Sequence, residues 1–168
     1  MKKKLILTII YGLTSLLAFS QNDKPERSGF TLKMPVDSVQ FYEQEVKKTP
    51  YFVKDKIIQI YPTEKVFIEV ETNKSEIISM KTVNENLNPE KTISVELTQS
   101  TKDKKHELMM FKITNPFNKQ LEYKAMMYVV GHNKWIPTNM LPVKAIGTAY
   151  ETWGETIITL VLSDWTLK

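Results

Sequence analysis

Two histidines, two pairs of adjacent methionines and three tryptophans carry most of the chemistry open to this 168-residue chain. Met109-Met110 and Met126-Met127 flank a turn signal, Asn115-Pro116-Phe117-Asn118. A hairpin centred near 117–119 sets Met110 opposite Met126 and Met109 opposite Met127. Successive strand residues face opposite ways, so one pair enters the core. The other pair shares the outer face with Leu108, Tyr128 and, at the hairpin's open end, His106 and His132. Thioether and imidazole suit Cu(I), which makes His106, Met110, Met126 and His132 candidate copper ligands. The plainer readings are that the segment Phe30 to Val46 covers this face, with methionine filling uneven gaps, or that the face binds a partner.

The tryptophans suggest a different ligand. Trp135 lies in a stretch bounded by Asn133, Pro137 and Pro142, and Trp153 precedes the last apolar run. Aromatic rings on loops can stack on sugars, although a loop tryptophan also plugs the end of a core. Leu108, Met110, Met126, Tyr128, Trp135 and Trp153 are therefore the candidate binding residues, for a protein surface or a glycan.

The remaining inventory argues against catalysis. The chain has no cysteine, which removes thiol nucleophiles and thiolate metal centres. Gly29, Gly131, Gly147 and Gly154 are too scattered for a phosphate-cradling loop, and no G-x-S-x-G or H-E-x-x-H pattern occurs. His106 and His132 each adjoin a predicted turn, where a solvated imidazole is the ordinary outcome. Glu69, Glu71 and Glu96 alternate with apolar residues, as on a solvated sheet face. Glu151, Glu155 and Asp164 lie near Trp153 and Trp165, and carboxylates beside aromatic rings could serve a glycosidase. No catalytic residue, cofactor or assigned metal follows from this set. Asn73-Lys74-Ser75 matches a glycosylation sequon but reads as a turn.

The elements that would position these residues begin with an address. Lys2-Lys3-Lys4, the apolar run Leu5–Phe19 and Ala18-Phe19-Ser20 form a secretory signal peptide over residues 1–20, cleaved between Ser20 and Gln21. Cleavage removes three of the 23 basic residues and none of the 19 acidic ones, leaving near-neutral charge. That argues against a nucleic-acid partner. The product is exported to the periplasm or beyond the cell, with no membrane insertion after cleavage. Residues 21–29 read as a disordered leader. Phe30–Val36 alternates as an extended segment, and Asp37, with Val39, Tyr42 and Val46 at helical spacing, suggests a short helix.

From Ile57 the hydrophobic period becomes two, in short runs separated by turn signals. Residues 30–168 are thus one all-β domain: an immunoglobulin-like antiparallel β-sandwich, with a short N-terminal helix or extended segment packed on it. A small lipocalin-like β-barrel is the alternative. Val66, Ile68, Val70, Ile93, Val95, Leu97, Phe111, Ile113, Tyr123, Ala125, Leu160 and Leu162 are the expected core. The function expected is that of a secreted or periplasmic, non-enzymatic module that binds another envelope or extracellular macromolecule or supports a cell-envelope assembly. A small-ligand binder, for glycan or Cu(I), is the alternative, and an envelope hydrolase comes third.

Overall fold

The structure, a computed structural model, describes residues 22–168. The predicted signal peptide and its cleavage point lie outside the described residues. The first half of the chain supplies strands β1 (Glu26–Arg27), β2 (Phe30–Pro35), β3 (Phe41–Val46), β4 (Thr49–Pro50), β5 (Phe52–Lys54) and β6 (Ile57–Ile60). Longer strands follow: β7 (Lys65–Asn73), β8 (Glu76–Val83), β9 (Thr92–Lys102) and β10 (Lys105–Asn115). The last four are β11 (Leu121–Val129), β12 (Trp135–Thr138), β13 (Gly147–Trp153) and β14 (Ile157–Leu167). Among the described residues no helix is long and apolar enough to cross a membrane.

Two five-stranded antiparallel sheets hold most of these strands. Sheet 1 has the order β13-β10-β9-β7-β8 and sheet 2 the order β12-β11-β14-β6-β5. They pack face to face without closing, so the fold is the all-β sandwich expected and not a barrel. Every residue of the expected core is buried between them. Period-two alternation decides this, because one face of each strand is written in Val, Ile, Leu and Phe and only that face can be buried. Phe111 of sheet 1 and Tyr123 of sheet 2 meet with ring centroids 6.3 Å apart, and Tyr123 stacks on Trp165 at 5.2 Å.

The N-terminal region departs from expectation in two ways. Residues 37–48 form no helix: β2 and β3 pair as a hairpin with Phe30 opposite Val46 and Pro35 opposite Phe41. Tyr42 and Val46 are four residues apart, a spacing that satisfies both a helical turn and a strand face, so the pattern was ambiguous. Asp37 does cap, but it caps the hairpin turn, its Oδ1 accepting from the backbone N–H of Val39 and Gln40 at 2.8 and 2.7 Å. Those two donors hold its carboxyl below the ordinary aspartate value.

Nor are residues 22–29 a disordered leader. Arg27 pairs with Thr49 and Glu26 with Pro50, in the same register as β2 and β3. Residues 26–50 are therefore one antiparallel ribbon interrupted at Ser28-Gly29. At the interruption the strands crowd together, and a Cβ on Gly29 would come within 3.3 Å of Lys48 N and Val46 O. Asn22–Lys24 is laid along the end of β8, with Lys24 N donating to Thr82 O and Asn84 N to Asn22 O.

Arg27 fixes the ribbon's base and is 2% exposed. Its Nε donates to Glu64 Oε1 at 2.9 Å, Nη1 to Thr49 Oγ1 and Pro50 O, and Nη2 to Gln59 O and Glu64 Oε2. Tyr51 and Tyr61 present their rings to the guanidinium at 4.6 and 5.1 Å. From this anchor the ribbon lies over one end of sheet 2, where Leu32, Met34 and Val46 pack on Ile158 beside Tyr61, Tyr128 and Val130. Its far end is tied to sheet 1 by Gln99 Nε2 donating to Pro35 O at 2.8 Å.

Candidate functional site

The methionine face expected from the sequence is not assembled. β10 and β11 are not a hairpin: β10 pairs with β9 and β13 in sheet 1, β11 with β12 and β14 in sheet 2. Their connection arches from one sheet to the other, organised by Asn115, which is 1% exposed. The Asn115 amide donates to Lys119 O, Val143 O and Lys144 O, and its oxygen accepts from Phe117 N. Met109 and Met127 do enter the core. Met110 and Met126, 37% and 41% exposed, lie on opposite outer faces of the sandwich.

The copper reading falls with that hairpin. Met110 and Met126 cannot share an ion across the sandwich, and His106 is already engaged. Its Nδ1 lies 2.9 Å from Gln99 Nε2 and its Nε2 3.0 Å from Gly154 O. A carbonyl requires a donor, so Nε2 carries the proton and Nδ1 accepts from the Gln99 amide. His106 thus joins the ribbon-bearing Gln99 to the turn before β14. His132 sits exposed in the turn after β11. The carboxylates of the glycosidase reading separate as well. Glu151 accepts from Leu141 N at 2.8 Å in sheet 1, and Asp164 pairs with Lys124 at 3.0 Å in sheet 2.

Of the candidate binding residues, Leu108 and Met110 lie on the outer face of sheet 1. There Met110 stands between Thr98 and Thr152, and Lys112 between Glu96 and Tyr150. Hydroxyl and charged side chains dominate around Met110, while Phe67 pairs with Val83 where β7 meets β8 on the same face. Nearby Glu69, 6% exposed, accepts from Asn88 and pairs with Lys81 at 3.4 Å and Lys91 at 3.5 Å. Burial opposes its ionisation, but Asn88 and the two ammoniums outweigh it and hold the carboxyl below its ordinary value. Trp153 is partly buried, and its Nε1 donates to Thr138 Oγ1 at 3.2 Å, so it seals the edge between the sheets.

Met126, Tyr128 and Trp135 remain together, on the outer face of sheet 2. Pro137, Met126 and Val161 form one cross-strand row, and Trp135 and Tyr128 begin the next. Trp135 is 40% exposed and packs on Tyr128 with centroids 5.4 Å apart and planes at 59°. Tyr128 is also the margin of the cluster beneath the ribbon, where burial raises the hydroxyl pKa of Tyr42 and Tyr61. The ribbon therefore covers part of this face, Tyr128 included, and leaves Met126, Val161, Pro137 and Trp135 beside it. Pro137 and Val161 were missed in the sequence because nothing local says which strands become neighbours. Among the described residues no group of three or more histidine, aspartate or glutamate side chains is placed to hold a metal ion. Comparison with known proteins finds no matching family model, curated relative or solved structure, so any functional reading rests on this geometry.

Proposed function

We propose that this protein is an exported, non-enzymatic binding module that docks a protein partner of the envelope or extracellular space on the uncovered part of sheet 2's outer face. The observation that carries the reading is continuity. The face already accepts a β-ribbon of its own chain through Leu32, Met34 and Val46, and the apolar rows run on past the ribbon's edge through Tyr128 to Trp135, Met126, Val161 and Pro137. Outer strand faces are ordinarily polar, so an apolar row open to solvent is the mark of a contact surface. A glycan platform is less well supported. Trp153 is turned into the edge of the core, and the tilted Tyr128–Trp135 pair offers no shared flat surface for a sugar.

A photo-crosslinking residue at position 126, expressed in the native host, tests this, with position 110 on the opposite face as control. A discrete protein adduct from 126 that disappears with Trp135→Ala is expected, with none from 110. Equal labelling from both positions, or none from 126, would overturn the reading.

A further inference from the structure

We propose that the open concavity at the base of the ribbon is a binding site for a small organic anion, a carboxylate carried on a single ring-sized body. The concavity holds about 270 Å³ and lies between the N-terminal segment and the β6–β7 turn, with Lys24, Lys65, Ser28 and Thr63 around its mouth and Arg27 and Tyr51 in its lining. It sits beside β6, away from the β12 edge that carries Trp135, and is independent of the surface proposed above.

Charge is the first argument. Arg27 and Glu64 neutralise one another in the floor, and both Glu64 oxygens are taken, Oε2 also accepting from Tyr61 N at 2.8 Å. Lys24 and Lys65 make no ion pair among the described residues. Glu26 is committed to Lys48, and Glu96, opposite Lys65 on β9, lies beyond ion-pair distance. Lys24 and Lys65 thus both line the concavity without an ion-pair partner among the described residues, the Lys65 ammonium resting 5.4 Å over the Phe67 ring. Low-dielectric walls focus such a field onto a counter-ion. The Lys24 ammonium is held 5.6 Å over the Tyr51 ring, which restrains it at the mouth.

Backbone strain is the second. Tyr61-Pro62-Thr63-Glu64 is a turn closed by Glu64 N donating to Tyr61 O, with Thr63 in the left-handed region at φ 78°. Glycine is the residue this position accepts without strain. A β-branched residue there is a true outlier, of the kind that clusters at ligand and active sites. Thr63 lines the concavity together with Ser28, Lys24 and Lys65.

Size and lining give the ligand class. At about 270 Å³ the concavity falls just below the roughly 300 Å³ at which ligand sites usually begin, which limits its occupant to a single ring-sized body. Phe30 lines the same concavity and adds an apolar wall to its cationic mouth.

Titrating the isotope-labelled mature chain with D-glucuronate, inorganic phosphate and D-glucose, read by backbone amide shifts, tests the proposal. Glucuronate should give saturable shifts at Ser28 and Thr63, phosphate weaker shifts at the same residues, and glucose none. Lys24→Gln with Lys65→Gln should weaken glucuronate binding by about tenfold or more, with the urea midpoint unchanged. No saturable shift with either anion would overturn the site. So would shifts centred on the Lys102–Lys105 turn, or affinity untouched by the double variant. Phosphate binding as tightly as glucuronate would overturn the ring-bearing ligand.

Discussion

Replacing Arg27 by Met tests whether the first residues of the described chain are part of the fold. Methionine keeps an unbranched apolar stem and removes every donor. The guanidinium's five N–H groups are all met by protein acceptors here, so the substitution strands several partners at once. Gln59 O and Pro50 O each lose this donor, and Glu64, whose side chain is 9% exposed, keeps only the N–H of Tyr61. Breaking a buried ion pair by removing one member costs about 3–5 kcal/mol, because the remaining charge is left uncompensated. A domain is stable by about 5–15 kcal/mol in total, so this is a large fraction. With a urea slope of about 1–3 kcal/mol per molar, the midpoint should fall by about 1–5 M. Arg27→Met with Glu64→Gln removes the stranded charge and should recover part of the loss, a coupling of about 0.5–3 kcal/mol. Equilibrium urea unfolding of the four proteins reads both numbers. A single-variant loss under about 1 kcal/mol, or losses that simply add, would refute the clamp and return residues 22–29 to a leader.

Tyr123 buries its hydroxyl with no hydrogen-bond partner among the described residues, and burial pushes its pKa well above the usual tyrosine value. Tyr123→Phe keeps the stack on Trp165 and should leave stability equal or raise it by about 1 kcal/mol; a loss of that size would reveal a partner for the hydroxyl. Ile146 holds φ 48° while 76% exposed, a conformation costing a branched residue about 1–2 kcal/mol. Ile146→Asn should raise the urea-derived stability by about 1 kcal/mol, and no gain would mean the strain is not there. The carboxyl of Glu69 is held below its unfolded value of 4.5, so its contribution is present above that pH and is lost as pH falls through the folded value. Glu69→Gln should therefore cost about 1–3 kcal/mol at pH 7, and the gap to the parent should narrow as pH falls below the unfolded value of 4.5; a gap independent of pH would show that Glu69 acts through shape alone.

What the sequence could reveal follows from what a period of two can encode. It separates inside from outside along each strand, which is why Val66, Ile93, Phe111, Tyr123 and Leu160 all fall in the core. It does not say whether the next strand stays in the same sheet. A hairpin and a sheet-to-sheet arch at 115–121 put Met109 and Met127 inside and Met110 and Met126 outside alike. The two topologies differ only in whether the outside residues share one face, and that is what a shared methionine site required. The arch is decided by Asn115, whose local bonds to Phe117 and Lys119 would suit any turn, while the two carbonyls that fix the crossing, Val143 O and Lys144 O, are distant in sequence. Arg27 shows the same limit. In the polar run Gln21 to Gly29 it reads as a solvated charge, and only Glu64, Gln59, Tyr51 and Tyr61, brought in from 24 or more positions away, make it a buried one. The features that bear on function here are contacts between elements, so they became visible only when the partners of each strand were known.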